Sequence, residues 1–171
     1  MDGEEFTTLV TPLMSKIAKF TRYYFAGFPS YGEEAQQEAL KSAWENRGQL
    51  KDKSKFEPWL MKIVVNTCHR VYGGMRKDDY IDPQGIEQSG EEFPSMSSPL
   101  SQTEMKLRAK LEEAIDAVLT ENERTAIILH IVEEYTSIEV GQIMQAKPST
   151  VRTCIERGIV KVRLYLQKGN E

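Results

Sequence analysis

Residues 136–164, TSIEVGQIMQAKPSTVRTCIERGIVKVRL, carry the pattern of two helices joined by a tight break. Apolar residues recur at helical spacing on both sides of Gln145–Lys147. Thr136 and Glu139 have the spacing of a capping box, and Pro148 suits a first helical position, where the N–H that proline lacks has no intrahelical partner. A short helix, a break and a longer basic helix predict a helix-turn-helix.

The outward face of the second helix distinguishes this pattern from an ordinary helical hairpin, which shares the same periodicity. That face carries donors and acceptors for phosphates and base edges, with one acid among them. Its residues are Ser149, Arg152, Thr153, Glu156, Arg157 and Lys161. We therefore interpret the C-terminal third as a DNA-binding element.

Two more capping boxes precede this element, at Ser101-x-x-Glu104 and Thr120-x-x-Glu123. Each predicts the start of an amphipathic helix. Three such tetrads at helix-length spacing form a stronger boundary signal than any one of them.

The first part of the chain also predicts helices. Apolar residues at helical spacing over Phe6–Phe20 predict one continuous helix. A second is expected at about Glu33–Asn46, with Trp44 facing inward, and a third from near Lys55. Gly73–Gly74 is expected to end or interrupt the third helix.

Two basic segments flank an acidic one. Residues 41–77 hold nine Lys and Arg against three Asp and Glu, residues 147–171 hold six against two, and residues 78–146 hold four against fifteen. Residues 78–100 contain no Lys or Arg, and such a composition buries too little apolar surface to offset the entropy of ordering. We predict an all-α chain: two small helical domains, 1–77 and 101–171, a flexible acidic linker at 78–100, and two surfaces that face a polyanion.

The sequence lacks the patterns of an enzyme or a membrane protein. The two histidines, His69 and His130, have no metal-ligand spacing, and no Gly-rich phosphate loop or plausible nucleophile–base set is present. No apolar run approaches the roughly 20 residues of a membrane span, and the N-terminus is acidic where a secretory signal is basic. We expect a cytoplasmic, non-catalytic protein with no metal, no cofactor and no small-molecule substrate.

Several segments resemble a known family. Residues 33–44, EEAQQEALKSAW, resemble the DAEDLVQExFxxAW helix of sigma region 2, and residues 56–66, FEPWLMKIVVN, are similar to its FxxWLxxIAxN pattern. Residues 119–124 (LTENER), 135–141 (YTSIEVG) and 149–157 (STVRTCIER) resemble sigma region 4. Together they resemble the extracytoplasmic-function (ECF) group of sigma-70 family RNA polymerase sigma factors.

The resemblance implies a sigma factor that directs core RNA polymerase to promoters and assists their melting. It implies contacts with the coiled coil of the polymerase's largest subunit and with its flap, and control by an anti-sigma factor that docks on apolar grooves of both domains. The first of these contacts is expected at Glu34, Gln37, Glu38 and Lys41. The alternatives are a helix-turn-helix transcriptional regulator and a sigma-like decoy that titrates an anti-sigma factor.

The resemblance also implies two DNA contacts. The minus-ten element would be bound by a basic groove and pockets for unstacked bases, at Lys53, Lys55, Trp59, Lys62, Asn66 and Arg70. Core packing explains Trp59 better than base stacking does, whereas Asn66 is the better candidate for a base edge. The minus-thirty-five element would be bound by Lys147, Ser149, Thr150, Arg152, Thr153, Glu156, Arg157 and Lys161. Gln145, Lys147 and Cys154 depart from the family's usual Gly, Ser and Arg, which indicates a divergent member.

Overall fold

A computed structural model describes residues 1–78, here the N-terminal half, and 101–169, here the C-terminal half. Residues 79–100, and with them nearly all of the predicted linker, lie outside the described residues. All helices and turns of the two halves are consistent with the predicted all-α class, and neither half contains a strand. No helix in either half is long and apolar enough to span a membrane.

The N-terminal half contains four α-helices: α1 (Gly3–Val10), α2 (Met14–Tyr24), α3 (Pro29–Asn46) and α4 (Phe56–Asp78). The prediction of one helix over Phe6–Phe20 was wrong, because a 3₁₀ turn at Thr11–Leu13 containing Pro12 separates α1 from α2. The pair Gly73–Gly74 does not end α4, which continues to Asp78.

The C-terminal half contains α5 (Gln102–Val118), α6 (Glu121–Ile127), α7 (Ser137–Met144) and α8 (Pro148–Lys168), with a π-helical segment at Ile128–Val132 after α6. All three predicted capping boxes are confirmed. In the third, Glu139 N–H donates to Thr136 Oγ1 at 3.2 Å, and Thr136 N–H donates to Glu139 Oε2 at 2.7 Å.

The predicted helix-turn-helix is formed by α7 and α8. Gln145 ends α7 in the left-handed conformation, with φ 56° and ψ 44°. A Cβ at Gly141 would lie 2.5 Å from the Ala146 carbonyl oxygen, so only glycine allows the turn to fold back this closely. On α8, a Cβ at Gly158 would lie 2.3 Å from Ile127 Cδ1, which shows how closely α8 packs on α6.

The two halves share one continuous hydrophobic core. Helix α4 packs against α7, and α2 packs against the π-helical segment. Side chains with almost no exposure come from both halves, among them Phe20 and Leu60 from the first and Leu129 and Val140 from the second. Helices α3, α4 and α8 each keep one face outside this core.

Candidate DNA-binding and polymerase-binding surfaces

The outer face of α3 brings the four predicted polymerase contacts together. Glu34, Gln37 and Lys41 are exposed, and their spacing of three and four residues places them on one helix face. Glu38 is half-exposed and forms an ion pair with Arg70 of α4, with 2.6 Å between Oε1 and Nη2. This face is polar and accessible, as a protein-docking surface requires.

The prediction that Trp44 faces inward is wrong: its side chain lies near the C-terminal end of α3 and is 38% exposed. Its ring contacts Phe6 edge-on, with centroids 5.3 Å apart. The Arg47 guanidinium lies 3.6 Å from its ring centroid. Trp44 follows Ala43, which is buried, so helical spacing predicts that it also faces the core. The packing of α1 places the Trp44 ring at the edge of the core instead.

The predicted minus-ten residues of α4 share one face. Lys62, Asn66 and Arg70 succeed one another at intervals of four residues; Asn66 and Arg70 are exposed, and Lys62 is half-buried. Trp59 is also half-buried, and its ring is tilted over Phe56 with centroids 5.7 Å apart. Trp59 thus packs partly against the core and lies next to the polar residues of α4.

Lys53 and Lys55 lie on the 3₁₀ turn Lys53–Lys55 that leads into α4, and both are exposed. Lys53 is ion-paired with Glu5 of α1. Asp52 caps this turn by accepting from the Ser54 N–H at 3.0 Å, so the turn has a defined conformation before α4 begins.

The outer face of α8 carries most of the predicted minus-thirty-five residues. Arg152, Thr153, Glu156 and Arg157 are exposed on successive turns. Lys147, Ser149 and Thr150 are exposed at the start of the helix. A helix with these side chains on its exposed face has the form of an element that enters the major groove.

Lys161 differs from the other α8 candidates. It donates to both carboxylate oxygens of Glu123 at 2.9 Å, and Glu123 is buried. Burial opposes the ionisation of Glu123, but the hydrogen bonds from Lys161 and from the Thr120 backbone outweigh it and lower the pKa of this carboxyl. Lys161 is therefore engaged within the C-terminal half.

An apolar cleft of about 450 Å³ lies between α5, α6 and α8 and reaches Tyr23 of α2. Its apolar lining includes Leu111, Ile115, Ile127, Ile131, Ile159, Val162 and Leu166. Ile131 at its edge is 52% exposed. An opening of this size and character fits apolar side chains of a partner helix.

Arg124 lies in the LTENER segment that resembles sigma region 4, and its burial has no signal in the sequence. Its side chain is 1% exposed, and its guanidinium lies between the halves. It donates to the Tyr24 carbonyl at 3.0 Å and to the Tyr72 hydroxyl at 3.1 Å, and it is 3.1 Å from Asp116 Oδ1. Because Arg124 follows three polar residues, the local sequence predicts an exposed side chain and not a contact between the halves.

Cys68 is fully buried, and burial raises the pKa of its thiol, so this side chain packs as an apolar group. Cys154 is half-buried, and neither cysteine forms a disulfide. In residues 1–78 and 101–169, no three His, Cys, Asp or Glu side chains are grouped to hold a metal ion.

No family model matches the chain. Curated proteins, in contrast, do match the chain. The chain is 27% identical to the ECF RNA polymerase sigma factor SigW of Bacillus subtilis, over 97% of this chain and 91% of that protein. It is 30% identical to the RNA polymerase sigma-H factor of Pseudomonas aeruginosa, over 79% of this chain and 72% of that protein.

Two solved structures have a similar fold. The sigma factor RpoE in complex with the anti-sigma factor NepR, from Bartonella quintana, aligns with a TM-score of 0.69 and 18% identity, over 96% of this chain and 98% of that one. CnrH in complex with the cytosolic domain of CnrY aligns with a TM-score of 0.69 and 16% identity, over 98% and 90%. At these identities the likeness concerns the fold.

Proposed function

The chain belongs to the ECF group of sigma-70 family RNA polymerase sigma factors, and we propose that its α3, α4 and α8 faces are the surfaces that bind polymerase and promoter. The two curated relatives are named as sigma factors, and most of their length is covered by this chain. The proposal extends to a cytoplasmic protein that catalyses no reaction itself.

The observation that carries the proposal is the presence of three polar faces on three different helices. Glu34, Gln37 and Lys41 lie on α3, whereas the candidate DNA contacts lie on α4 and α8. One chain thus offers a mixed-charge surface for a protein partner and two donor-rich surfaces for a nucleic acid. A DNA-binding regulator requires only the α8 face.

In this mechanism, α8 lies in the major groove of the minus-thirty-five element. Arg152 and Arg157 are placed to donate to guanine edges or phosphates, and Glu156 can accept from a cytosine amine. Lys147, Ser149 and Thr150 at the start of α8 bind the sugar-phosphate backbone and fix the register.

At the minus-ten element, the α4 face holds the melted strand. Asn66 is exposed between the cations Lys62 and Arg70, so its amide can contact the edge of an unstacked base while the cations neutralise phosphates. Trp59 supports this face from beneath by packing on Phe56. Lys53 and Lys55 extend the basic surface at the start of α4.

An anti-sigma factor is the proposed regulator. The two solved neighbours are complexes, one with the anti-sigma factor NepR and one with the cytosolic domain of CnrY. The apolar cleft between α5, α6 and α8 is the proposed docking site for an apolar helix of such a partner, because Ile131 and Ile159 present uncovered hydrocarbon at its edge.

The experiment that tests the function is run-off transcription. The purified chain is mixed with core RNA polymerase on a library of promoter fragments, with core enzyme alone as the control. We expect transcripts that depend on the chain and start at a shared sequence. If the chain binds DNA but not core enzyme, it is a helix-turn-helix regulator; if it binds an anti-sigma factor and directs no transcript, it is a decoy.

A further inference from the structure

The apolar cleft between α5, α6 and α8 has a closed floor and an open rim. Ile115 of α5 and Ile128, the residue after α6, line it and are buried, so they form its floor. Leu111 and Ile131 also line it but are exposed, so they form its rim. The volume of about 450 Å³ lies in the range of sites that bind small molecules. The depth of the cleft suits a hydrocarbon tail that enters from the rim.

The lining of the cleft contains almost no polar side chains. Nine of its twelve residues are Leu, Ile or Val. The other three are Tyr23 of α2 and, on α8, Arg163 and Gln167. Arg163 and Gln167 are four residues apart and therefore lie side by side on one face of the helix. Among the described residues, Arg163 alone brings a charge to this lining.

The positive charge of Arg163 is not neutralised by a neighbouring carboxylate. Two other cations of the C-terminal half do form ion pairs, Lys161 with Glu123 and Arg108 with Glu112. Arg163 forms none in the part of the chain that the structure describes. Its guanidinium is exposed and has the geometry to bind a carboxylate through two parallel hydrogen bonds. The cleft is thus complementary to a molecule that has one acid group at the end of a hydrocarbon tail.

We propose that this cleft binds a free fatty acid: the hydrocarbon tail lies between α5, α6 and α8, and the carboxylate pairs with Arg163 beside the Gln167 amide. This binding does not depend on the proposed function. Its consequence rests on that function, because the same cleft is the proposed docking site of an anti-sigma helix. A bound fatty acid would exclude that helix and so release the chain from the anti-sigma factor.

Isothermal titration calorimetry of the purified chain tests the site. The probe is dodecanoate, kept below the concentration at which it forms micelles. We expect saturable binding of one dodecanoate per chain. Decanoate should bind about fifteenfold more weakly, because each buried methylene contributes about a fourfold factor in affinity.

The control for the head group is dodecyltrimethylammonium, which has a tail of the same length and a positive charge. We expect it to bind about tenfold more weakly than dodecanoate, because Arg163 attracts one head group and repels the other. The chain has a net charge of −4, so non-specific attraction would favour the ammonium compound. A preference for dodecanoate therefore reports on the local cation.

Arg163→Gln and Lys168→Gln are matched variants. Each removes one exposed cation from the last two turns of α8, but Lys168 does not line the cleft. We expect Arg163→Gln to weaken dodecanoate binding about fivefold and to abolish the preference for the negative head group. Lys168→Gln should retain both the affinity and the preference.

A second matched pair places the hydrocarbon tail. Ile131 and Ile138 are both exposed, but only Ile131 lines the cleft. Ile131→Glu is expected to abolish dodecanoate binding, because it brings a carboxylate to the apolar rim. Ile138→Glu should leave the affinity unchanged. Circular dichroism confirms that each variant is folded.

Three results would overturn the proposal: no saturable binding of dodecanoate, equal affinities for the two head groups, or dodecanoate binding that survives Ile131→Glu. Equal losses in Arg163→Gln and Lys168→Gln would also contradict the role of Arg163. These titrations contain no polymerase and no promoter. Failure of the chain to direct transcription would therefore refute the proposed function and leave the fatty-acid site to be decided by calorimetry.

Discussion

Arg70 and Glu38 form an ion pair, with Nη2 of the arginine 2.6 Å from Oε1 of the carboxylate. Arg70 is a candidate contact with the minus-ten element, and Glu38 is a candidate contact with polymerase. In the free chain these two side chains bind each other. Both side chains are more than a third exposed, which makes the pair weak and easily exchanged. The proposed α3 and α4 surfaces are therefore adjacent and electrostatically linked.

The double variant Gln37→Ala, Glu38→Ala is expected to weaken association with core RNA polymerase about tenfold or more, because central polar contacts of an interface are removed. The measurement is a titration of labelled chain with core enzyme. Lys106→Ala, Lys110→Ala, two exposed positions on α5, is the control and should keep its affinity. An unchanged affinity of the α3 variant would remove this face from the site.

Arg152→Ala and Arg157→Ala are each expected to lower promoter-dependent transcription about tenfold or more, while association with core enzyme stays intact. Transcript yield and core affinity are measured on the same preparations. Lys168→Ala, in the last turn of α8, is the control for loss of one exposed charge. An equal loss of core affinity would show that the α8 face serves another purpose.

Lys161→Ala is expected to destabilise the fold by about 1–2 kcal/mol, because the buried Glu123 carboxylate loses its cation. Urea denaturation measures the change. Lys168→Ala should change the free energy of unfolding little. If Lys161→Ala leaves stability intact and reduces the salt dependence of DNA binding, then Lys161 is a phosphate contact.

Gln145→Gly is expected to stabilise the chain by about 0.5–1 kcal/mol, because Gln145 has a left-handed backbone conformation that glycine adopts without strain. Gln142→Gly in the preceding helix is the matched control and should destabilise by about 1 kcal/mol. Thermal denaturation distinguishes the two, and a loss of stability in both would contradict the role assigned to the turn.

His69→Gln is expected to remove a pH dependence of stability. Burial lowers the pKa of His69 below 6.5, although Glu121 opposes this effect, so the folded chain favours the neutral ring. The unfolded chain therefore binds the proton first, and the contribution present above pH ~6.5 is lost as the pH falls towards the folded-state pKa.

Urea midpoints at pH 7.5 and 5.5 test this dependence. The difference between them should shrink in His69→Gln and persist in His130→Gln, whose ring contacts the Tyr135 carbonyl oxygen instead. A difference that stays the same in His69→Gln would assign the pH dependence to other groups.

Local signals explain what could be predicted from the sequence. The three capping boxes are confirmed because a Ser or Thr hydroxyl and a Glu three residues later satisfy backbone donors without help from the rest of the fold. The turn between α7 and α8 is equally local. Helical spacing also predicts which residues share a face of α4 or of α8, so the candidate residues of each helix lie side by side once the helix forms.

The parts that sequence reasoning missed depend on distant packing. Trp44 lies at the rim of the core because α1 covers only one side of its ring. Arg124 is buried because Tyr24 and Tyr72, fifty or more residues away, enclose it. Glycine propensity predicted an end to α4 at Gly73–Gly74, but the helix continues past both residues. Periodicity reports which face is apolar and carries no information about which element covers it.

At Gly158, the backbone of α8 packs directly against the Ile127 side chain of α6. A methyl group there would lie 2.3 Å from Ile127 Cδ1 and 3.3 Å from Leu119 Cδ2, so the ends of these two side chains would have to shift to make room. A substitution at Gly158 would thus change the packing beneath α8, the helix that we propose contacts the minus-thirty-five element. Under the proposed function, a substitution in the core would therefore change promoter preference without touching the DNA-binding face.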